Sequence, residues 1–248
     1  MAKKQYLIIT EYDNSPVAES FRALRTNIQN FKTDEPLHTI MFTSVGPKEG
    51  KSTVLANLAV AFAWADKKVL LMDCDLRRPV QHRIFGTINQ GITDLLTKGA
   101  DLKRLIQNTG IENLDLLCSG PVPPNPAELL ASAKVDSLLE ELKQDYDCVL
   151  IDTPPVVVVT DACILASKVD GIFLVVAANT IRPEMANEAQ QLLQNANGKV
   201  CGVILNRAHK RNHYSYYYYE KEEPRRKGDF FRLNGSMRDA ETVNSRSR

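Results

Sequence analysis

Six short runs of apolar residues, separated by longer stretches with helical periodicity, constrain the fold of this chain more than any other feature. The runs are rich in Val, Ile and Leu, so both faces of each predicted strand are expected to be buried. Parallel strands joined by right-handed crossover helices produce this pattern, and they bring the carboxyl ends of the strands to one edge of the sheet. The predicted strands cover residues 39–43, 69–72, 114–117, 148–151, 172–177 and 200–205.

The length of the chain predicts a single α/β domain with a tail. Of its 248 residues, 44% are hydrophobic, which is enough to bury one substantial core. We predict a mostly parallel sheet with helices on both faces over residues 37–206, preceded by an N-terminal segment over residues 1–36. A flexible tail is predicted over residues 207–248, where hydrophobic periodicity stops. The predicted core helices cover residues 52–65, 126–143 and 183–195.

Cysteine usage and the lengths of the apolar stretches predict a cytosolic protein. The five cysteines are widely spaced and mostly lie in or beside apolar runs. We therefore expect core thiols in a reducing compartment, with neither a disulfide framework nor a structural metal site. The apolar stretches all fall far below the roughly 20 residues that span a bilayer. Any association with a membrane is expected to depend on a partner.

A helix over residues 16–31 is predicted ahead of the first core strand. Glu19, Arg22 and Arg25 form a charged stripe along it, because residues three apart are neighbours on a helix surface. A solvated face is the usual explanation for such a stripe, and contact with another subunit is the alternative. A separate apolar stripe consists of Val17, Phe21, Leu24, Ile28 and Phe31.

The segment that begins at Gly46 predicts a phosphate-binding loop, because it lies between a predicted strand and a predicted helix. In such a P-loop, backbone N–H groups and the helix N-terminus hold phosphate oxygens. Lys51 is expected to contact the terminal phosphates, and the Ser52 hydroxyl to join the shell of a Mg²⁺ ion. Val45 occupies a position at which the strict pattern has glycine. The residues expected to bind ATP here are Gly46, Pro47, Lys48, Glu49, Gly50, Lys51, Ser52 and Thr53.

Three aspartates that follow predicted strands are expected at the same edge of the sheet as the P-loop. Asp73 and Asp75 come just after the strand at residues 69–72, and Asp152 follows the strand at residues 148–151. Asp152 begins an Asp-Thr-Pro-Pro sequence, the form expected of a Walker B carboxylate that holds Mg²⁺ through water. A turn or helix-cap role is the alternative for either member of the first pair. Together these carboxylates predict a Mg-nucleotide site.

The end of the last predicted strand and the tail add further candidates. Asn206 lies where the base of a nucleotide could pair with its amide, although a strand-ending Asn is also a common turn former. Five of the eight tyrosines fall within six residues, amid charged neighbours typical of solvated chain. Clustered acceptors beside a phosphate-transfer site suggest self-phosphorylation. These acceptors are Tyr214, Tyr216, Tyr217, Tyr218 and Tyr219.

The charge of the chain is distributed unevenly. Residues 207–248 hold 11 of the 31 Lys and Arg residues but only 6 of the 30 Asp and Glu residues. A basic, aromatic tail is compatible with binding to nucleic acid or to anionic lipid. Nothing in the chain resembles a base-reading fold, so nucleic acid is not an expected partner.

With these motifs assembled, the chain resembles the bacterial tyrosine kinases known as BY-kinases, which are linked to polysaccharide export. The P-loop, the hydrophobic-Asp-x-Asp-x-Arg element that ends at Arg77 and the Walker B segment match that family in order. The charged stripe on the N-terminal helix resembles the family's subunit-interface motif. Residues 119–130 and the tyrosine cluster strengthen the match, which covers roughly residues 15–220.

The resemblance implies a P-loop NTPase-like fold and a role for each site residue. Lys51 and Ser52 would handle ATP and Mg²⁺, and Asp75 and Asp152 would hold the metal through water. Asp73 would be the base for the tyrosine hydroxyl. The pKa of that hydroxyl is near 10, so a carboxylate can assist only as the proton leaves.

The resemblance also implies partners. They are further copies of the chain in a homo-oligomeric ring, a separate transmembrane adaptor whose cytosolic tail activates the kinase, a cognate tyrosine phosphatase and exogenous protein substrates. Such kinases regulate capsule or exopolysaccharide synthesis and export, so the chain is expected in the cytoplasm, associated with the membrane through the adaptor.

A different class of function competes with the kinase interpretation. It is a nucleotide-switched assembly ATPase related to partition and septum-positioning proteins, whose tyrosine tail would be only an interaction surface. Those ATPases carry a signature lysine where this chain has Gly46, and the related iron–sulfur scaffold ATPases carry a CxxC motif that this sequence lacks. The sequence therefore favours the kinase.

Overall fold

The computed structural model describes residues 7–11, 15–31 and 36–208, and these residues belong to one compact unit. The predicted tail from residue 209 onward, with its tyrosine cluster, lies outside the described residues. A single sheet organises the unit. Its strands are β1 (Thr39–Ser44), β2 (Val69–Asp73), β3 (Gln107–Ile111), β4 (Leu114–Leu117), β5 (Cys148–Asp152), β6 (Gly171–Ala177) and β7 (Val200–Asn206).

The sheet has the order β3-β4-β2-β5-β1-β6-β7, with β1 near its centre. All neighbouring strands pair in parallel except β3, which pairs with β4 antiparallel at the edge. The six predicted strands and the mostly parallel sheet are confirmed. β3 was not predicted, because its sequence Gln-Asn-Thr-Gly-Ile has no apolar run and only one of its residues is buried.

Helices cover both faces of this sheet. The long predicted helices are present, but the one predicted over residues 126–143 is interrupted at Ser132, whose backbone is extended with ψ of 146°. The Ser132 hydroxyl donates to the carbonyl of Leu129 at 2.8 Å, which fixes the break. The helices are α1 (Ile8–Glu11), α2 (Pro16–Gln29), α3 (Lys51–Ala63), α4 (Gln81–Phe85), α5 (Ile92–Lys98), α6 (Leu102–Leu105), α7 (Pro126–Ala131), α8 (Ala133–Asp145), α9 (Asp161–Ala166) and α10 (Pro183–Asn195).

Helix α3 lies inside the domain, between the sheet and α2. It is apolar nearly all round, as expected of a helix without a solvent face. Its leucines Leu55 and Leu58 are completely buried, and each such side chain contributes about 1.5–3 kcal/mol to folding. The N-terminus of α3, into which the P-loop leads, is therefore held in place by this packing.

Helix α2 is fixed to the same face of the domain. It begins after Ser15, whose hydroxyl oxygen accepts the N–H of Ala18 at 3.0 Å. Of the predicted apolar stripe, Ile28 is buried and the middle of the stripe packs against the core, whereas its two ends are exposed. Arg25 Nη1 donates to the carbonyl of Ala61 at 3.0 Å, near the C-terminus of α3, where a cation is favourable.

Within the part of the chain that the structure describes, every helix is too short or too polar to cross a bilayer. The cysteines there are all free thiols, and Cys74, Cys118 and Cys148 are buried as predicted. The sheet is thus supported by packing on two faces rather than by covalent links. Its carboxyl edge carries the residues described next.

Candidate active site

The P-loop connects β1 to α3 and contains two residues with left-handed backbone conformation. Gly50 has φ of 84° and Lys48 has φ of 65°. A side chain at Gly50 would place its Cβ 2.3 Å from Asn206 Nδ2, so glycine is required there for both reasons. Val45, which replaces the expected glycine, is completely buried in the core. Its side chain therefore leaves the loop itself unobstructed.

Glu49 braces the P-loop from within. Its carboxylate accepts the backbone N–H of Gly46, and also that of Ala177 at the end of β6, at 3.1 Å. Burial raises the pKa of Glu49, and these two donors and Arg207 counteract part of the rise. The loop is consequently tied to the neighbouring strand as well as to the two elements that it connects.

The end of β7 is also bonded to the P-loop. Asn206 Nδ2 donates to the carbonyl of Glu49 at 2.8 Å, and Arg207 Nη2 donates to the carbonyl of Lys48 at 2.9 Å. The amide nitrogen of Asn206 is thus engaged with the loop rather than left free for a nucleotide base. Its expected contact with the base of a nucleotide stays a prediction.

Lys51, Ser52 and Asp152 meet at the start of α3, as the sequence predicted. Lys51 Nζ forms an ion pair with Asp152 Oδ1 and lies 3.0 Å from Ser52 Oγ. The Asp152 side chain is completely buried and that of Lys51 is 7% exposed. A charged lysine at this depth is held by its carboxylate partner. The contact of Lys51 with phosphates stays a prediction.

Gln81, at the start of α4, is a site residue that the sequence analysis missed. Its Nε2 donates to Asp152 Oδ2 at 2.7 Å and to the carbonyl of Ser52 at 3.1 Å, and the side chain is completely buried. The Oε1 atom is also buried and has no hydrogen-bond partner. Glutamine is usually a surface residue, so no sequence pattern indicated this position.

Asp73 is enclosed by the loop that follows β2. Its Oδ1 accepts the N–H of Asp75 at 3.2 Å, and its Oδ2 accepts the N–H groups of Val80 and Gln81, each at 3.0 Å. Burial, and then the negative charge of Asp152, raise the pKa of Asp73 to about 7. In this structure Asp73 shapes the loop, and its expected role as base stays a prediction.

Asp75 borders a cavity of about 320 Å³ beside the P-loop. Its Oδ1 accepts the N–H of Arg78 at 2.9 Å, and burial raises the pKa of this carboxyl. The cavity has basic, acidic and apolar walls, a composition typical of a small-molecule or side-chain site. It is lined by Pro47, Asp75, Arg77, Arg78, Pro154, Pro155, Val158 and Val159.

An ion pair joins the loop after β2, which lines this cavity, to helix α9. Arg77 Nε and Nη2 donate to the two oxygens of Asp161, each at 2.9 Å, in a bidentate arrangement. Asp161 is completely buried in the first turn of α9, whereas the Arg77 side chain is 38% exposed. The sequence analysis placed Arg77 in a motif but gave Asp161 no role. The pair fixes the loop after β2 to α9.

The charged stripe of α2 lies away from these contacts. Glu19 and Arg22 form an ion pair at 3.2 Å on the helix surface, whereas Arg25 is half-buried against α3. The role of this stripe in a subunit interface stays a prediction. The predicted phosphoacceptors Tyr214 and 216–219 lie outside the described residues.

The family model described as "AAA domain" matches residues 40–197. The chain is 42% identical to tyrosine-protein kinase YwqD of Bacillus subtilis (strain 168) over 203 residues, which cover 81% of this chain and 86% of the relative. It is 39% identical to putative tyrosine-protein kinase CapB of Staphylococcus aureus over 227 residues, which cover 89% of this chain and all of the relative.

Solved structures separate the two interpretations of the sequence. The crystal structure of the chimerical protein CapA2B2 superposes with a TM-score of 0.79 and 40% identity, over 85% of this chain and 93% of that one. The septum site-determining protein MinD of Pyrococcus horikoshii, complexed with Mg-ADP, superposes with a TM-score of 0.60 and 28% identity, over 71% of this chain and 72% of that one. The kinase is favoured over the septum-positioning ATPase by both measures. The chain therefore belongs to the bacterial tyrosine-protein kinases and has their P-loop NTPase fold.

Proposed function

We propose that the chain transfers the terminal phosphate of Mg-ATP to its own C-terminal tyrosines, from one subunit to another. The observation that carries this proposal is the convergence of Lys51, Ser52 and Asp152 beside the cavity that Asp75 borders. Phosphoryl transfer needs alignment and charge neutralisation more than covalent help. A rigid P-loop with a buried lysine supplies both.

The residues present fit a magnesium ion bound mainly through phosphates and water. Within residues 7–11, 15–31 and 36–208, no three His, Cys, Asp or Glu side chains form a cage for a metal. Mg²⁺ bound with a nucleotide usually takes one or two carboxylates and keeps several waters. Asp152 and Asp75 are the carboxylates we assign to it, and Ser52 the hydroxyl. When bound, the ion would neutralise charge on the phosphates.

The remaining residues of the site are assigned the following roles. Asp73 is the proposed base, and Lys51 the cation that leaves Asp152 to act on the phosphates. The residues of the P-loop from Gly46 to Thr53 hold the triphosphate through backbone N–H groups, and Asn206 borders the base. The cavity beside Asp75 offers proline and valine walls to the ring of an acceptor tyrosine.

The chain carries its own cluster of acceptors, Tyr214 and 216–219, only a few residues beyond the end of β7. About ten extended residues span roughly 33 Å, enough to reach either the site of the same chain or that of a neighbour, and we favour the neighbour. In a homo-oligomeric ring formed through Glu19, Arg22 and Arg25, each tail would be held at high effective concentration beside the next site.

The cellular setting is proposed from the relatives. A transmembrane adaptor, a cognate phosphatase and exogenous substrates would connect the kinase to capsule or exopolysaccharide synthesis and export. The chain would act in the cytoplasm and reach the membrane through the adaptor. Each added phosphate contributes roughly −1.5 to −2 charges at pH 7, so phosphorylation would convert the basic tail into an acidic one.

The test mixes two variants of the whole chain. One is Lys51→Met, inactive but with intact tyrosines, and the other is active with the five clustered tyrosines replaced by Phe. With labelled ATP and Mg²⁺, transfer between subunits predicts phosphotyrosine on the Lys51→Met chain. Replacing Glu19, Arg22 and Arg25 by Ala should abolish that labelling and lower the mass measured by light scattering. An unlabelled Lys51→Met chain in demonstrably mixed assemblies would refute transfer in trans.

A further inference from the structure

Gln81 is the contact point of three residues of the proposed site. Its backbone N–H bonds to Asp73 Oδ2, and its side-chain amide bonds to both Asp152 Oδ2 and the carbonyl of Ser52. Its position at the start of α4 is fixed because the adjacent loop is tied to Asp73.

The two acceptors around this amide determine which way it faces. Asp152 Oδ2 and the Ser52 carbonyl can only accept hydrogen bonds, so the nitrogen of the Gln81 amide must lie between them. The oxygen Oε1 therefore has to point elsewhere, where it is buried without a partner. Leaving a buried acceptor unsatisfied is costly, so this atom calls for a donor that binds at the site.

The two oxygens of Asp152 have donors of different kinds. Lys51 holds Oδ1 with a charge, and Gln81 holds Oδ2 with a neutral amide. If Lys51 turns to the phosphates of a nucleotide, Gln81 becomes the donor that keeps Asp152 in place. Waters bound to Mg²⁺ are strong donors, and a water of this kind could donate to Oε1.

We propose that Gln81 is a positioning residue for magnesium, which orients Asp152 through its Nε2 and accepts a hydrogen bond from a metal-bound water through its Oε1. The inference rests on the Mg-nucleotide site proposed above. It does not require Gln81 to contact the nucleotide. Its loss should therefore weaken the effect of Mg²⁺ on nucleotide binding while leaving binding without the metal unchanged.

The experiment measures the affinity of fluorescent ADP for the full chain, in EDTA and over a titration of Mg²⁺. Gln81→Met removes the amide with little change in volume. Loss of such an outer-shell partner commonly weakens metal binding by about 10–100-fold, so we expect half-saturation to need at least about tenfold more Mg²⁺. Affinity in EDTA should stay within about twofold. Gln107→Met is the matched control, because the Gln107 amide also makes two hydrogen bonds, to the carbonyls of Ile88 and Gln90, but lies at β3.

A second variant keeps the test decisive if Gln81→Met folds poorly. Gln81→Glu places a carboxylate against Asp152, so the metal-free protein should lose thermal stability and Mg-ADP should raise its melting temperature more than that of the wild type. The role of Gln81 would be overturned if the Mg²⁺ titration of Gln81→Met matched that of the wild type. It would also be overturned if the affinity of the variant for ADP were weakened equally with and without the metal. A wild-type protein whose ADP affinity ignores Mg²⁺ would instead refute the proposed magnesium site.

Discussion

The ion pair between Lys51 and Asp152 should make the lysine important for stability as well as for catalysis. In the structure the Asp152 side chain is completely buried and the Lys51 side chain is 7% exposed. Removing one member of a buried pair typically costs about 3–5 kcal/mol, because the other charge is left without its partner. Asp152 keeps its hydrogen bond from Gln81 in a Lys51→Met variant, so we expect the lower end, about 3 kcal/mol.

A double-mutant cycle isolates this coupling. Asp152→Asn alone should cost about 2 kcal/mol, because the neutral amide that replaces the carboxylate has no charge to pair with the buried ammonium of Lys51. The combined variant removes both charges, so its loss of unfolding free energy should be at least about 2 kcal/mol smaller than the sum of the losses in the two single variants. Each chain should still fold, because native proteins have about 5–15 kcal/mol of stability.

The assay is urea unfolding at 25 °C without nucleotide and in EDTA. With a slope of about 3 kcal/mol per M, a loss of 3 kcal/mol lowers the midpoint by about 1 M. Lys48→Met is the matched control, since this lysine lies in the same loop but is exposed, and its midpoint should shift by less than about 0.2 M. If the two single effects add within about 0.5 kcal/mol, the reasoning is wrong.

Three further outcomes follow from the contacts. Gly50→Ala should cost at least about 2 kcal/mol by urea unfolding and weaken nucleotide binding, because φ at this position is 84° and the added Cβ would collide with Asn206. Adding Asn206→Ala should remove the collision but not the strain of the backbone. Burial alone would raise the pKa of Asp170, but hydrogen bonds from Thr39 and Lys143 hold it below its ordinary value. Because the unfolded state then binds protons more readily, the stability from Asp170 is present near pH 7 and is progressively lost as pH falls below about 4. Asp170→Asn should therefore cost about 1.5–3 kcal/mol at pH 7 and less as the pH is lowered through this range. Arg77→Met should destabilise the protein more than Asp161→Asn in the same assay, because the first change leaves the buried Asp161 carboxylate without its partner, whereas after the second change Arg77 can reach water. Equal costs would contradict this expectation.

Several features of the site were accessible from local sequence. The Gly-Lys-Ser-Thr segment after an apolar strand predicts the P-loop, and the structure brings Lys51 and Ser52 to Asp152 as expected. The broken helix at Ser132 and the polar edge strand β3 were not predicted. Hydrophobic periodicity continues across a one-residue break, and an edge strand needs no apolar run, so neither feature leaves a clear pattern in the sequence.

The sequence by itself determined the architecture and the chemistry of the P-loop, because apolar runs and glycine-lysine motifs act through neighbours in the chain. Only the tertiary structure decided which distant groups share a hydrogen bond. Gln81 reaches Asp152 across 71 positions, Arg77 reaches Asp161 across 84, and Asn206 reaches Glu49 across 157. The parallel sheet creates these contacts by bringing the carboxyl ends of its strands to one edge, where loops far apart in sequence become neighbours.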